Sequence, residues 1–533
     1  MARPKLRRNP PRSPFFKGGS FFCRSLNTSL RSTQGWLWKR GRGDFSAQPK
    51  VAALYALPSA LSVIGAFLVV TLTGCSVGPN YRRPPARIPA NYKEIDGWKV
   101  AQPKDSVIRG AWWELFNDPE LDALEQQVDI SNQNVAAAEA TFRQARALVQ
   151  EARANYFPTI TVGVGVTNSS RSTTTTVGGL TSRGRTTPTQ YSLPVDVSWE
   201  VDVWGRIRRS VESAQAAAQA SAADLENARL SARAELAQDY FQLRALDAQK
   251  QLLDQTVADF QKSLDLTRNR YAAGVASRAD VLQAETQLKT TQAQAVDVGV
   301  QRAQLEHAIA LLVGKAPAEV SVSVSPLTTQ PPAIPTGLPS SLLERRPDIA
   351  AAERRVAQAN AQIGVAEAAY FPTVSLGASS GLQSTSFSQW ISAPSRFWSV
   401  GPTITETVFD GGLRGAQTAA ARAVYDSSVA LYRQSVLAGF QQVEDNIAAL
   451  RILEDEAQIQ DEAVKSAQQT VVVVTNQYKA GITSYLNVIT AQTAALENER
   501  TAINILGNRL NASVLLIKAL GGGWNASNLP PSP

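Results

Sequence analysis

Hydrophobic positions along this chain switch twice between a helical and an alternating register. Helical stretches run from Glu120 to Tyr156 and from Asp348 to Tyr370, and each ends at a Phe-Pro pair, Phe157-Pro158 and Phe371-Pro372, because proline disfavours the helical conformation in the residue before it. Alternation then takes over. Ile160, Val162, Val164 and Val166 share one side, opposite Thr159, Thr161, Gly163 and Gly165. After a polar tip of Ser, Thr, Gly and Arg, Val195, Val197, Trp199, Val201 and Val203 share a side, opposite Asp196, Ser198, Glu200 and Asp202. The second half repeats the device with Val374, Leu376 and Ala378, a polar tip, and a strand expected from Val400 to Phe409. There Glu406 falls on the face of Ile404 and Val408, an exception to the pattern. Period-two segments of about ten residues with one apolar face are what transmembrane β-barrel strands require, although sandwich strands alternate in the same way. Four strands cannot close a barrel, since the smallest closed ones have about eight, so the wall is shared between copies and three copies would supply twelve.

The prolines divide the chain sharply. None lies between Pro194 and Pro317 or between Pro402 and Pro530. The first gap predicts a helix from Arg206 to about Ala273, which at a rise of ~1.5 Å per residue is about 100 Å long. Val429, Tyr432, Val436, Phe440, Val443, Ile447 and Leu450 advance by three and four, the spacing of a coiled coil. The first half carries two neighbouring stripes, Leu225, Ala228, Ala232, Leu236, Tyr240 and Leu243 beside Leu230, Ala234, Ala237, Phe241, Ala245 and Ala248. A helix with apolar stripes on both flanks can sit in the wall of a helical cylinder. Each long helix should turn at Gly274 or Gly481 and return as a second helix to Gly314 or Gly521, giving antiparallel pairs.

The two halves are copies. Ala154-Asn155-Tyr156-Phe157-Pro158-Thr159 returns as Ala368-Ala369-Tyr370-Phe371-Pro372-Thr373, 214 positions later, and Asn269-Arg270-Tyr271-Ala272-Ala273-Gly274 as Asn476-Gln477-Tyr478-Lys479-Ala480-Gly481, 207 later. A period above 200 excludes a short-repeat solenoid. The expected organisation is a leader over 1–74, an extended segment over 75–118, a first repeat over 119–314 with its β-hairpin at 159–204, a Pro-rich linker over 315–346, a second repeat over 347–521 with its hairpin at 373–410, and a tail over 522–533.

The formal charge of +8 misleads. Residues 1–50 hold 12 Lys/Arg and only Asp44, residues 51–74 carry no charge, and the remainder has 41 basic against 44 acidic residues. A nucleic-acid reading therefore fails. The basic flank, the apolar run and Leu72-Thr73-Gly74-Cys75 have the form of a lipoprotein signal in which the Cys75 thiol accepts a diacylglyceryl group; an uncleaved membrane helix is the alternative. Residues 1–46 fit neither a domain nor a short signal, and Met1 is the only methionine, so we expect the true start to lie later. Two cysteines, Cys23 and Cys75, and one histidine, His307 within a helical pattern, leave no disulfide after processing, no Cys/His metal site and no catalytic triad. No cofactor is implied.

Several stretches resemble the outer-membrane factors of tripartite efflux pumps, TolC/OprM-like and of the NodT-type lipoprotein branch. They are Gly78-Pro79-Asn80-Tyr81, Trp112 to Leu121 (WWELFNDPEL), Trp199 to Arg206 (WEVDVWGR), Leu338 to Ile349 (LPSSLLERRPDI) and Lys518 to Trp524 (KALGGGW). The resemblance implies a mostly α protein with a membrane β-barrel: a homotrimer whose twelve-stranded barrel, four strands per chain, continues as a long α-helical coiled-coil barrel through the periplasm. It also implies a periplasmic adaptor and an inner-membrane RND-type transporter as partners, a passive duct and no enzymatic activity. In such proteins the helical turns contact adaptor hairpins and must dilate; the matching positions are Gly274, Val275 and Ser277, and Gly481, Ile482 and Ser484. Closure there uses carboxylates and polar links past the tip. Asp280 keeps an acid, but the second half reads Asn487 and Thr490, and Thr483 and Thr493 stand where some relatives carry arginine. We therefore expect closure by packing of Leu486 and Tyr478, with at most a three-fold ring of Asp280. On the barrel's polar side Asp196, Glu200 and Asp202, repeated three times, would give the lumen a field favouring cations; solubilising a wet pore is the plainer role.

The leading expectation is an exit duct for multidrug efflux in the outer membrane, anchored in its lipid. The same duct could serve type I protein secretion or metal-ion export, since cargo is chosen largely by the transporter. A surface-anchored coiled-coil structural lipoprotein would share the helices and the anchor, but not four strands with lipid-type alternation.

Overall fold

The computed structural model describes residues 76–95, 110–177, 180–334 and 341–529. The leader and Cys75 lie outside the described residues. The first helical stretch divides in two, α1 (Pro119–Ser131) and α2 (Gln133–Ala154). Asn132 divides them: its backbone is extended, and its side chain accepts hydrogen bonds from the Asn134 and Val135 amides as the N-cap of α2.

The alternating segments form an antiparallel sheet of β1 (Thr159–Val162), β2 (Gly165–Asn168), β5 (Thr189–Val201), β6 (Thr373–Ser384) and β7 (Arg396–Thr405). β1 and β2 pair with successive parts of β5, so they are one broken edge strand and the sheet has four strand positions. The polar tip of the first hairpin is itself structured, as a separate ribbon of β3 (Arg171–Val177) and β4 (Leu180–Thr186). Two expectations need correction. The helix expected to be continuous to Tyr156 is interrupted at Asn132. The last strand is Arg396–Thr405, earlier than Val400 to Phe409. Glu406 is thus outside the strand, and Val408, 93 % exposed, lies beyond it, which removes the exceptional charge from the apolar face.

Strand β5 leads into α3 (Arg206–Ala272), which turns and returns as α4 (Arg278–Leu312). In the second repeat α5 (Pro347–Ala368) precedes β6, and β7 leads into α6 (Leu413–Lys479) and its return α7 (Tyr485–Ala519). At 67 residues each, α3 and α6 are about 100 Å long. The helices pack in the order α2, α3, α5, α6, the same as the strands they flank. All seven residues of the α6 stripe from Val429 to Leu450 are buried, as are ten of the twelve on the two α3 stripes, with Ala228 and Ala248 half-buried. Each Leu, Ile, Phe or Val so buried contributes about 1.5–3 kcal/mol, which is what holds helices of this length side by side.

Residues 76–95 run as a strap over the helices. Arg209 donates to the Val77 and Gly78 carbonyls at 3.1 Å, and the Tyr81 hydroxyl to Glu353 at 2.5 Å. A Cβ on Gly78 would lie 2.5 Å from the Gly364 Cα, so only glycine lets the strap lie flush on α5.

Candidate functional site: the two ends of a shared wall

At the sheet end, register gathers one apolar face from all four strand positions. Ile160 pairs with Val197, Val197 with Ala378 and Ala378 with Val400, while Trp199 pairs with Leu376 and Leu376 with Pro402. The opposite face is polar: Thr161 pairs with Asp196, Asp196 with Ser379, and Ser379 with Ser399. Aromatic rings mark both limits of the apolar face. Tyr191, Phe387 and Trp390 cluster at 5.5–6.2 Å at one end. At the other, Trp204 stacks on Phe371 at 4.8 Å and donates to the Pro372 carbonyl at 2.8 Å, and Trp199 donates to the Tyr156 carbonyl at 3.0 Å. Tyr191 and Trp199 are eight positions apart on β5, about 26 Å along the strand and comparable to the roughly 25 Å apolar band of outer-membrane barrels.

The three barrel acids differ in their surroundings. Glu200 takes two hydrogen bonds from Arg206, at 2.9 and 2.6 Å. Asp202, just past the end of β5, caps α3 by accepting from the Ile207 and Arg208 amides, both at 2.9 Å, and pairs with the Arg208 guanidinium. Asp196 is exposed and has no ion-pair partner among the described residues. The second repeat rebuilds the capped junction with Asp410, which accepts from the Gly412 and Arg414 amides and from Arg414 Nε at 2.6 Å. Those bonds, Arg414 first, pull its carboxyl down to about 2. The role of Asp410 was missed in the sequence, although the aspartate, glycine and arginine of VDVWGRIR and FDGGLR are there to be aligned.

Both edges of the sheet are unpaired: β1 and β2 on one side, β7 on the other. The helices below are equally unfinished. On α6, Val424, Leu431, Ile452, Ile459 and Val473 are exposed at multiples of seven residues, and on the opposite edge Leu148 of α2 and Val296 and Val300 of α4 are exposed.

At the far end, α3 and α6 stop in the same way. Gly274 and Gly481 have φ of +73° and +77°, a left-handed conformation that glycine adopts without strain. The Val275 amide reaches back to the Arg270 carbonyl at 2.8 Å, and that of Ile482 to the Gln477 carbonyl at 2.9 Å. Val275 and Ile482 project into solvent. Ser277 and Asp280 form a reciprocal capping box, with the Ser277 amide to Asp280 at 2.9 Å and the Asp280 amide to Ser277 Oγ at 3.1 Å. Ser484 makes no side-chain cap; Asn487 bonds instead to Thr483 Oγ1 at 2.5 Å, and the Thr490 hydroxyl to the Leu486 carbonyl at 2.9 Å.

The two residues expected to share the closure occupy opposite environments. Leu486 is 55 % exposed, whereas Tyr478 is 4 % exposed in a cluster with Phe260, Leu264, Ala284, Leu288, Tyr485 and Val488 that joins the two hairpins. The Tyr478 and Tyr485 rings lie 5.3 Å apart, and burial pushes the Tyr485 phenol up to about 12. Arg270 of α3 completes the junction: its guanidinium lies 4.7 Å from the Tyr478 ring centroid and donates to the Lys479 carbonyl at 3.0 Å. Arg270 was overlooked among the tip residues because its repeat counterpart is Gln477, so the duplication gives no hint of a role.

Between the ends, Arg244, Asp247 and Arg302 pin the segment after α4. Asp247, 1 % exposed, pairs with Arg302 at 2.7 Å and Arg244 at 3.2 Å; Arg244 also pairs with Glu120 and bonds the Ser323 carbonyl, and Arg302 donates to that of Val322. His307 is exposed on α4. Among the described residues no cluster of His, Cys, Asp and Glu could hold a metal ion, and no helix is long and apolar enough to cross a membrane.

A family model described as "Outer membrane efflux protein" matches residues 124–315 and 338–522. The chain belongs to the outer membrane efflux protein family. The toluene efflux pump outer membrane protein TtgF of Pseudomonas putida is 32 % identical over 475 residues, 87 % of this chain and 97 % of the relative. Outer membrane protein OprJ of Pseudomonas aeruginosa is 30 % identical over 473 residues, with 87 % and 96 % covered. The solved outer-membrane channel OprN superposes with a TM-score of 0.77 at 32 % identity, covering 84 % of this chain and all of that one. CusC, also solved, gives 0.74 at 26 % identity over 84 % of this chain and all of its own. This efflux protein is therefore a TolC-type outer-membrane channel, its strands spanning the outer membrane and its long helices forming a periplasmic tunnel. A single copy leaves the barrel open.

Proposed function

We propose that three copies of this efflux protein close head to tail, β7 and the exposed α6 stripe of one against β1, β2 and the α2/α4 edge of the next, to make a twelve-stranded barrel over a helical tunnel. The observation that carries this is the coincidence of unpaired strand edges and unpartnered apolar helix flanks on the same two sides of one chain. Unpaired edges in lipid would leave backbone donors and acceptors without partners, at several kcal/mol each, so the wall must close. The duct is passive and performs no catalysis; a periplasmic adaptor seats at the tips around Val275 and Ile482, and an inner-membrane transporter supplies the energy. Small molecules are the cargo, a reading supported by relatives named for toluene, solvent and antibiotic efflux. Cys75 carries a thioether diacylglyceryl anchor, supported by its lipobox and by the seat of Ser76 and Val77 at the sheet–helix junction, where the Val77 amide donates to the Trp204 carbonyl at 3.0 Å.

The pore is cation-preferring through a three-fold ring of Asp196, because Glu200 and Asp202 are matched by arginines. Light scattering of the detergent-purified protein should give three chains per particle, and planar bilayers should record discrete conductance steps. A monomer that passes no ions overturns the proposal. Asp196→Asn should lower the cation-to-anion permeability ratio severalfold at low salt, read from reversal potentials.

A further inference from the structure

Charge is placed unevenly at the outer end of the sheet, the end away from the helices. Between Val162 and Val195 and between Thr373 and Thr405 there is no acidic residue, but there are four arginines, Arg171, Arg183, Arg185 and Arg396. Arg396 is the one charged residue that register puts on the apolar side of the sheet, in line with Trp398, Val400, Pro402 and Ile404 of β7. It is exposed, and its guanidinium has no partner among the described residues. A lipid-facing arginine is costly at the bilayer centre and tolerated where it reaches polar groups at the boundary. Trp398, 78 % exposed and two positions inward on the same side, marks that boundary.

The duplication shows what stands beside Arg396 once copies join. Both hairpins keep one internal register: Thr159 pairs with Ser198 as Thr373 does with Thr405, and Val162 with Val195 as Leu376 does with Pro402, so the first strand is displaced by 214 positions and the second by 207. Between the hairpins Tyr191 pairs with Ser384. The same displacements turn that contact into a pair between Trp398 and the partner subunit's Ser170, with the apolar sides of both strands together. Two positions outward, Arg396 then faces the partner subunit's Ser172, and within each chain Ser172 is paired with Arg185. Arg185 is exposed, and its Nε donates to Ser170 Oγ at 2.8 Å. Two inter-strand spacings, about 10 Å, separate the backbones of the two arginines, a gap that two arginine side chains close.

We propose that Arg396 of one copy, with the partner subunit's Ser172 and the partner subunit's Arg185, forms a site for the phosphate of an anionic lipid headgroup in the outward leaflet, three sites per trimer. This rests on the closed trimer proposed above. Two guanidiniums on one face repel unless an anion lies between them, and their planar N–H forks match phosphate oxygens. Trp398 and the apolar side below it point to a lipid and not to free phosphate as the source, because acyl chains continue where the headgroup ends.

Native mass spectrometry of the detergent-purified full-length protein tests this, with dioleoyl phosphatidic acid as the probe and dioleoyl phosphatidylcholine as the reference. Trimers should retain up to three phosphatidic acid molecules in preference to phosphatidylcholine, and millimolar inorganic phosphate should not displace them. Arg396→Gln and Arg185→Gln should each weaken retention about tenfold. Arg171→Gln, at a position that register puts on the other side of the ribbon, should leave it unchanged. Equal retention in the parent and both variants, an equal loss in Arg171→Gln, or displacement by inorganic phosphate overturns the lipid site and leaves the trimer standing. A trimer in which Arg396→Cys with Ser172→Cys forms no inter-chain disulfide on oxidation overturns the register, and a particle of one chain overturns the trimer itself.

Discussion

Replacing Arg270 with alanine should release the tip. Nearest the tips this side chain is a polar tie between the first hairpin and the second, stacked on Tyr478 and bonded to the Lys479 carbonyl; farther up, Gln492 donates to Ser263 Oγ and Gln287 to Thr493 Oγ1. A partly exposed cation–π contact is worth about 0.5–1 kcal/mol and a hydrogen bond of this kind about 0.5–1.5 kcal/mol. The loss is then ~1–2.5 kcal/mol per chain, or ~3–7 kcal/mol if three tips move together. At 1.4 kcal/mol per decade this shifts the closed-to-open equilibrium by roughly two to five powers of ten. Single-channel recording should show long-lived high-conductance states in Arg270→Ala that are rare in the parent. Cells carrying it should become sensitive to a large hydrophilic antibiotic that the outer membrane normally excludes. Arg270→Lys, which keeps the charge but loses the planar stack, should fall between. If Arg270→Ala and Tyr478→Leu both leave conductance unchanged while Leu486→Ser opens the pore, the tie between hairpins is irrelevant and closure rests on Leu486 alone.

Two further outcomes concern the helices. Burial, followed by the nearby Glu235, raises Asp239 of α3 to about 6. The folded state therefore holds this proton more tightly than the unfolded chain, near 3.9; the stabilisation is complete below about pH 4 and is lost as pH rises through 6. The side chain is half-buried, so screening leaves about 1 kcal/mol. Asp239→Asn should flatten the pH dependence of trimer Tm between 4 and 7, and a slope equal to the parent's would refute the assignment. Asp247→Ala removes the carboxylate shared by two arginines, which keep Glu120 and Glu306 as partners, and should cost about 1–3 kcal/mol, read as earlier thermal unfolding and faster proteolysis of the segment after α4; a Tm within a degree of the parent's would count against the network.

Much of the wall could be read from spacing alone. The α6 stripe from Val429 to Leu450 and the strand faces from Ile160 to Val201 obey periods that burial and register impose, so the pattern carries the fold. The reading slipped where a single polar side chain outweighs periodicity. Asn132 caps a new helix inside an unbroken helical pattern, and Glu406 sat on the wrong face only because the strand was run past Thr405. The site was legible at its glycines, since Gly274 and Gly481 need a left-handed backbone. It was not legible at Arg270, whose partners Tyr478 and Lys479 are more than 200 residues away in the other repeat. Nor could alternation tell Asp196 from Glu200 and Asp202, because arginines that follow the strand neutralise only the latter two.

The two halves arose as equals but no longer behave as equals at their ends. The bend after α3 is locked by its own serine and aspartate, while the bend after α6 makes no side-chain cap at Ser484 and leans on Arg270 from its sibling. A partner prising the assembly apart would meet three turns capped from within and three braced in part by a neighbouring hairpin. Divergence after duplication has thus left one loop self-sufficient and its twin dependent on a sibling's side chain.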